Sequence, residues 1–101
     1  FEEVKKAIAN NETSVSDLVA GYLSNIKKYQ HLNAFLEVFD DEVKAEAKRV
    51  DEKIKDGTAG RLAGMVIALK DVLCYKGHEV TASSKILKGF KSLYNATCVQ
   101  R

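Results

Sequence analysis

Apolar residues in the first half of the chain recur every three to four positions, the period of a helix with one face turned inward. Phe1, Val4 and Ile8 share one side of a short helix predicted over residues 1–10, which Asn10-Asn11 and then Thr13-Ser14 interrupt. Val15, Leu18, Val19, Tyr22, Ile26 and Tyr29 resume the spacing and predict a second helix from about 15 to 30. Ser14 and Asp17 stand at capping-box spacing ahead of it, with Asp in place of the usual Glu or Gln. Ala34-Phe35-Leu36-Glu37-Val38-Phe39, rich in aromatic and β-branched residues, predicts a short strand. Asp40 is the expected cap of a third helix, with Asp41 and Glu42 in its first turn complementing the dipole. Val43, Ala47, Val50 and Ile54 draw a narrow apolar stripe along it, and its charged remainder is expected to face water. Lys53 and Lys55 favour its C-terminal end, and Gly57 supplies a stop.

Beyond Gly57 the pattern changes. Gly57, Gly60 and Gly64 with Thr58 lead into an uncharged run, Leu62 to Leu69, that ends abruptly at Lys70-Asp71. Its β-branched centre predicts a buried strand. Lys70 would then stand at the end of a strand, where α/β proteins tend to place their chemistry. A lysine amine held partly out of water has its pKa pulled down and can then accept a proton. The same lysine also reads as a solvated strand terminus whose stem covers an apolar edge. After Lys70 the chain reads as irregular through Cys74 to His78, with a bend at Gly77. Val80-Thr81-Ala82 reads as a brief extended piece, Ser84 to Phe90 as a short helical turn, and Thr97 as a helix N-cap. The fold class these elements point to is α/β, a mixed sheet flanked by helices.

Composition narrows the possibilities. The 101 residues are 46% hydrophobic and 30% charged, as in an ordinary globular protein, and the net charge of +2 is too mild for a nucleic-acid footprint. Cys74 and Cys98 form neither a CxxC nor a zinc-like spacing, so no metal site is expected and a reducing cytoplasmic setting fits better than a disulfide scaffold. The opening Phe1-Glu2-Glu3 is unlike a signal peptide, and no uncharged run approaches the roughly 20 residues of a spanning helix. The chain starts without Met and stops at Arg101 with no turn signal, so both ends read as cut from a longer parent. A phosphate-binding loop is excluded, because Lys70 follows a strand-like run instead of opening a helix.

Other chemistry-bearing residues have plain explanations. Ser83-Ser84 lack a Gly-x-Ser-x-Gly elbow and read as turn serines. His31 falls at a helix end, where contact with the last carbonyls accounts for it, and His78 beside Gly77 is a loop residue. Tyr22, Tyr29, Phe35 and Phe39 read as core or hinge aromatics, and Lys27-Lys28 with the lysines at 85, 88 and 91 as solvated faces.

Several dispersed blocks nevertheless agree with one family. Asn33-Ala34-Phe35-Leu36, Leu62-Ala63-Gly64 and Ile67-Ala68-Leu69-Lys70-Asp71 come first. Ala82-Ser83-Ser84-Lys85-Ile86-Leu87, Gly89-Phe90 and Tyr94-Asn95-Ala96-Thr97 follow in order. From about Val15 to Arg101 the chain resembles the N-terminal part of the amidase signature enzymes, and the Ser-Lys-Ile-Leu piece resembles their transamidase subgroup. Many members carry proline where this chain has Val66, and often Asn where it has Val72, a change that removes a polar contact near the lysine. The resemblance implies that residues 1–101 are the N-terminal portion of a single amidase domain whose catalytic serines lie downstream.

It also implies a Ser–cis-Ser–Lys relay in which Lys70 is the terminal base and a downstream serine attacks the carboxamide of glutamine, releasing ammonia. A lysine does this near neutral pH only if its surroundings lower its pKa by several units from about 10.4. Asp71 would oppose that, but side chains on neighbouring strand residues point to opposite faces. No cofactor is implied for this chain. ATP and magnesium are expected at a partner subunit, within a heterotrimer that converts a mischarged tRNA in protein biosynthesis. Two other readings stay open: a stand-alone amidase of the same family acting on a small amide, and a non-catalytic helical interaction module. Taken alone, the segment is expected to be marginally stable, because the 62–69 strand has no neighbours to pair with.

Overall fold

The computed structural model describes residues 1–101, and the chain divides into two units, Phe1–Val66 and Ile67–Arg101. The first is built from three helices, α1 (Glu2–Ala9), α2 (Val15–Lys28) and α3 (Asp40–Lys55), with a 3-10 turn at Gln30–Leu32 after α2. Local signals set most of their ends. Ser14 caps α2 in a full capping box: its hydroxyl accepts the Asp17 N–H at 3.0 Å, and the Asp17 carboxylate accepts the Ser14 N–H at 3.1 Å. At the end of α3, Gly57 takes φ 69°, its N–H bonding the Ile54 carbonyl at 3.2 Å and that of Thr58 the Lys53 carbonyl at 2.9 Å. That bond pair is a Schellman stop. Asn11, at φ 58°, ends α1 with the same pair, from Asn11 to Ile8 and from Glu12 to Ala7.

The core of this unit is aliphatic. Val15, Val19 and Leu23 of α2 bury against Ala47 of α3, with Ile8, Val43, Val50 and Ile54 packed around them. The α2 positions are spaced by four, so the buried face is rotated from the stripe expected through Tyr22 and Tyr29. Both tyrosines are exposed, as is Phe35, while Phe39 is half-buried. Of the four aromatics expected in core or hinge positions, none joins this cluster. A polar tie lies at each end of the helix pair. Asp51 of α3 accepts the backbone N–H groups of Val15 and Ser16 at 2.8 and 3.1 Å and the Ser16 hydroxyl at 2.6 Å. Lys27, near the end of α2, pairs with Asp40 at the start of α3 at 3.5 Å. The start of each helix therefore meets the end of the other, and the two run antiparallel.

Asp40 does not cap α3 as expected. The cap position falls on Phe39, with no side-chain bond, and Asp40 instead pairs with Lys44 one turn on and with Lys27. Nor does the charged side of α3 lie wholly in water, since Asp51 is half-buried. Gly64, in the Leu-Ala-Gly block, sits at φ 84°, and a Cβ there would lie 2.8 Å from Ile8 Cδ1. The positive φ is what favours glycine here, because the close neighbour is the tip of the Ile8 side chain, which can turn aside.

The second unit is mostly turns. Its nearest approach to a sheet is one antiparallel bridge between Glu79 and Lys91. Bonds from Val80 N–H to the Phe90 carbonyl at 3.1 Å and from Ser92 N–H to the His78 carbonyl at 3.0 Å flank it. Val80 and Ser92 are its buried side chains. A 3-10 turn spans Lys85–Leu87, as the expected turn after Ser84 requires, and a single helical turn, α4, spans Thr97–Gln100. Ala96, not Thr97, holds the cap position of α4.

The two expected strands do not form, and no mixed sheet is present in these residues. Residues 34–39 run irregularly with a bend at Leu36, which is 81% exposed. Residues 61–64 are turns, with Met65 N–H bonded to the Leu62 carbonyl at 3.0 Å, and 65–70 have no regular structure. The physical reason is shared. A strand is stabilised by ladder bonds to a neighbouring backbone, and neither segment meets one here. No helix is long and apolar enough to cross a membrane.

Candidate active site

Lys70 opens a turn in which Leu73 N–H bonds the Lys70 carbonyl at 2.9 Å. Its side chain is exposed and joins none of the ion pairs, which are Lys27–Asp40, Lys44–Asp40 and Arg49–Glu46. The apolar shielding expected from residues 65–69 is absent, because Met65, Val66 and Ile67 are themselves exposed.

Asp71, half-buried beside it, is differently placed. Its Oδ1 accepts the Thr81 N–H at 2.8 Å, its Oδ2 accepts the Thr81 hydroxyl, and its main-chain carbonyl accepts the Ala82 N–H at 3.1 Å. The Thr81 hydroxyl, then the Thr81 N–H, with smaller help from the N–H groups of Ser83 and Ala82, holds the Asp71 carboxyl below the usual carboxylate range. Asp71 thus points to Thr81 and away from an ion pair with Lys70, through turn geometry and not strand alternation.

Thr81 begins a tight turn closed by Ser84 N–H on its carbonyl at 2.7 Å. Ala82 and Ser83 at its centre have φ 47° and 60°. Two positive φ values mark a type I′-like turn, and each costs a residue with a Cβ roughly 1–2 kcal/mol. Ser83 and Ser84 are turn residues, as their sequence suggested. His78 stacks on Tyr75 with centroids 4.6 Å apart, and His31 is exposed on the Gln30–Leu32 turn, tilted toward Tyr29.

Cys74 and Cys98 are free thiols. Hydrogen bonds from Tyr94 and then Ser92 hold the Cys74 thiol below its ordinary value, and the same contact pushes the Tyr94 phenol up. No three His, Cys, Asp or Glu side chains gather as a metal set. A shallow depression on α2 is lined by Thr13, Asp17, Leu18, Gly21, Tyr22 and Asn25, and its one carboxylate is committed to Ser14.

The sequence singled out Lys70 as a candidate base but gave no sign of the grip of Asp71 on Thr81. The two lie ten residues apart in segments with no periodicity to align them. Asp51 was also missed, although a signal existed: it falls four residues after Ala47 and three before Ile54, on the apolar stripe itself.

A chain with these helices, this lysine at the close of an apolar run and these blocks in order falls into a defined class. It belongs to the amidase family, whose model, described as Amidase, matches residues 17–101. Over 98% of its length it is 39% identical to the A subunit of glutamyl-tRNA(Gln) amidotransferase from Brachyspira hyodysenteriae, covering 21% of that protein. It is 37% identical over its whole length to the protein of the same name from Chlorobium phaeobacteroides, again 21% of that protein. To the same-named protein of Chlorobaculum tepidum it is 36% identical over 100% of this chain and 21% of the relative. The chain therefore spans about a fifth of the length of the curated relatives it matches.

Proposed function

We propose that residues 1–101 are the N-terminal portion of a glutaminase subunit of a tRNA-dependent amidotransferase. The observation that carries this reading is the near end-to-end similarity to proteins named as the A subunit of glutamyl-tRNA(Gln) amidotransferase. In the complete enzyme Lys70 is the terminal base of a Ser–cis-Ser–Lys relay whose serines lie downstream. Its amine takes a proton from the bridging serine, which takes one from the nucleophile, and the nucleophile attacks the glutamine carboxamide to form an acyl-enzyme and ammonia. The exposed Ile67 and Val72 on either side of Lys70 are where downstream residues close over the amine and shut it from water. Residues 34–39 and 65–69, without regular structure here, join the mixed sheet of the complete domain.

A partner subunit binds ATP and magnesium, activates the Glu-tRNA(Gln) acceptor and receives the ammonia, and a third subunit completes a cytoplasmic heterotrimer. Residues 1–101 alone are inactive. In the complete enzyme, Lys70→Ala abolishes glutamine hydrolysis in a folded, assembled protein. Lys70→Arg fails as well, because a guanidinium stays protonated. Near-parental turnover by a folded Lys70→Ala enzyme removes Lys70 from the relay. Efficient hydrolysis of other small amides in the absence of partner proteins assigns the chain to a different amidase of the family.

A further inference from the structure

Asp71 has no part in that relay, yet it follows Lys70 in the chain and its carboxylate is fully committed. Both of its oxygens are taken by Thr81, and Thr81 Oγ1 accepts in turn from the Ser83 N–H at 3.2 Å. The turn so gripped is held with Ala82 and Ser83 at positive φ. Strained backbone of this kind persists where its surroundings over-determine it. The bonds from Thr81 and Ala82 to Asp71 supply that constraint, and they attach the turn to the residue that follows Lys70.

We infer that Asp71 is a positioning residue for Lys70: its carboxylate clasps the Thr81–Ser84 turn, fixes the backbone from which the lysine projects, and is thereby kept from pairing with the amine. The inference rests on the reading of Lys70 as the terminal base. Its chemical logic is twofold. A base that must reach one hydroxyl gains from a backbone anchored at the residue beside it, because small misplacements of reacting groups are costly. A carboxylate released beside a lysine would pair with the ammonium and oppose its work as a base. The clasp meets both needs with one threonine.

The test uses the complete, assembled enzyme and steady-state glutaminase kinetics, with folding checked by circular dichroism. Thr81→Val keeps the volume and the backbone N–H but removes the hydroxyl donor. Asp71→Asn keeps the shape but removes the charge. Each is expected to lower kcat by roughly 10- to 100-fold with KM essentially unchanged, the mark of a disturbed chemical step. Thr81→Ser, which restores the donor, is expected to recover most of the lost kcat. Parental kcat in both Thr81→Val and Asp71→Asn, while Lys70→Ala is dead, overturns the clasp and leaves the relay standing. An active Lys70→Ala overturns the relay instead. Loss expressed in KM alone, or no difference between Thr81→Ser and Thr81→Val, also overturns the positioning role. Should Asp71→Asn fail to fold, the Thr81 pair decides.

Discussion

The N–H groups of Val15 and Ser16 and the hydroxyl of Ser16 all donate to the carboxylate of Asp51. A helix start leaves such donors without intrahelical partners, and a charged acceptor there is favoured by the dipole as well. Partial burial pushes the Asp51 carboxyl up, but the Ser16 hydroxyl and the two N–H groups outweigh it and hold it below its ordinary value. Asp51→Ala is expected to cost about 1–2 kcal/mol, and Asp51→Asn less, because one acceptor oxygen remains. The sign of the pH effect follows from the lowered value. The carboxylate's contribution is fully present above its unfolded pKa of 3.8 and is lost as pH falls from there through the folded-state value. Urea unfolding of the chain and of Asp51→Asn should therefore give stabilities that differ at neutral pH and converge below about pH 4. A difference that persists undiminished in acid would show that charge is not what Asp51 contributes.

Among elements, α2 and α3 carry the first unit, and Leu23 is the clearest probe of their contact. It is 6% exposed and packs in the cluster with Val15, Val19 and Ala47. Leu23→Ala should destabilise the chain by about 2–4 kcal/mol, read as a lower urea midpoint with helix content intact before the transition. A cost under about 1 kcal/mol would mean that the site collapses around the missing atoms. The helices were legible in the sequence because their signals are local: a 3.6-residue period, Ser14 with Asp17, Asn11 and Gly57. The buried register of α2 was less so, since Tyr22 and Leu23 are both apolar and only the position of α3 chooses between them. The strands were not legible as outcomes at all. Residues 34–39 and 65–69 have strand composition, but pairing depends on a distant backbone that composition does not supply. Lys70 was singled out as a candidate through its place in a family-like block, whereas its exposure and the grip of Asp71 on Thr81 depend on turns that no period announces.

At the scale of the molecule, the two units differ in how they are held. Phe1–Val66 has an aliphatic cluster between two multi-turn helices, while Ile67–Arg101 buries only Val80 and Ser92 and relies on turn bonds. Hydrogen exchange should therefore show slow amides in Val15–Lys28 and Asp40–Lys55 and fast ones through 70–101. Equal protection along the chain would contradict this division. The Asp51 tie has a kinetic consequence too. The Ser14 box closes over three residues, but the bond from Ser16 to Asp51 spans 35. The entropy of closing a long loop must be met before its contacts form. During refolding the opening turn of α2 can flicker into being unaided, yet it is trapped only when the later helix arrives. Nucleation and docking are therefore expected to be coupled, which a single refolding phase for both helices would show.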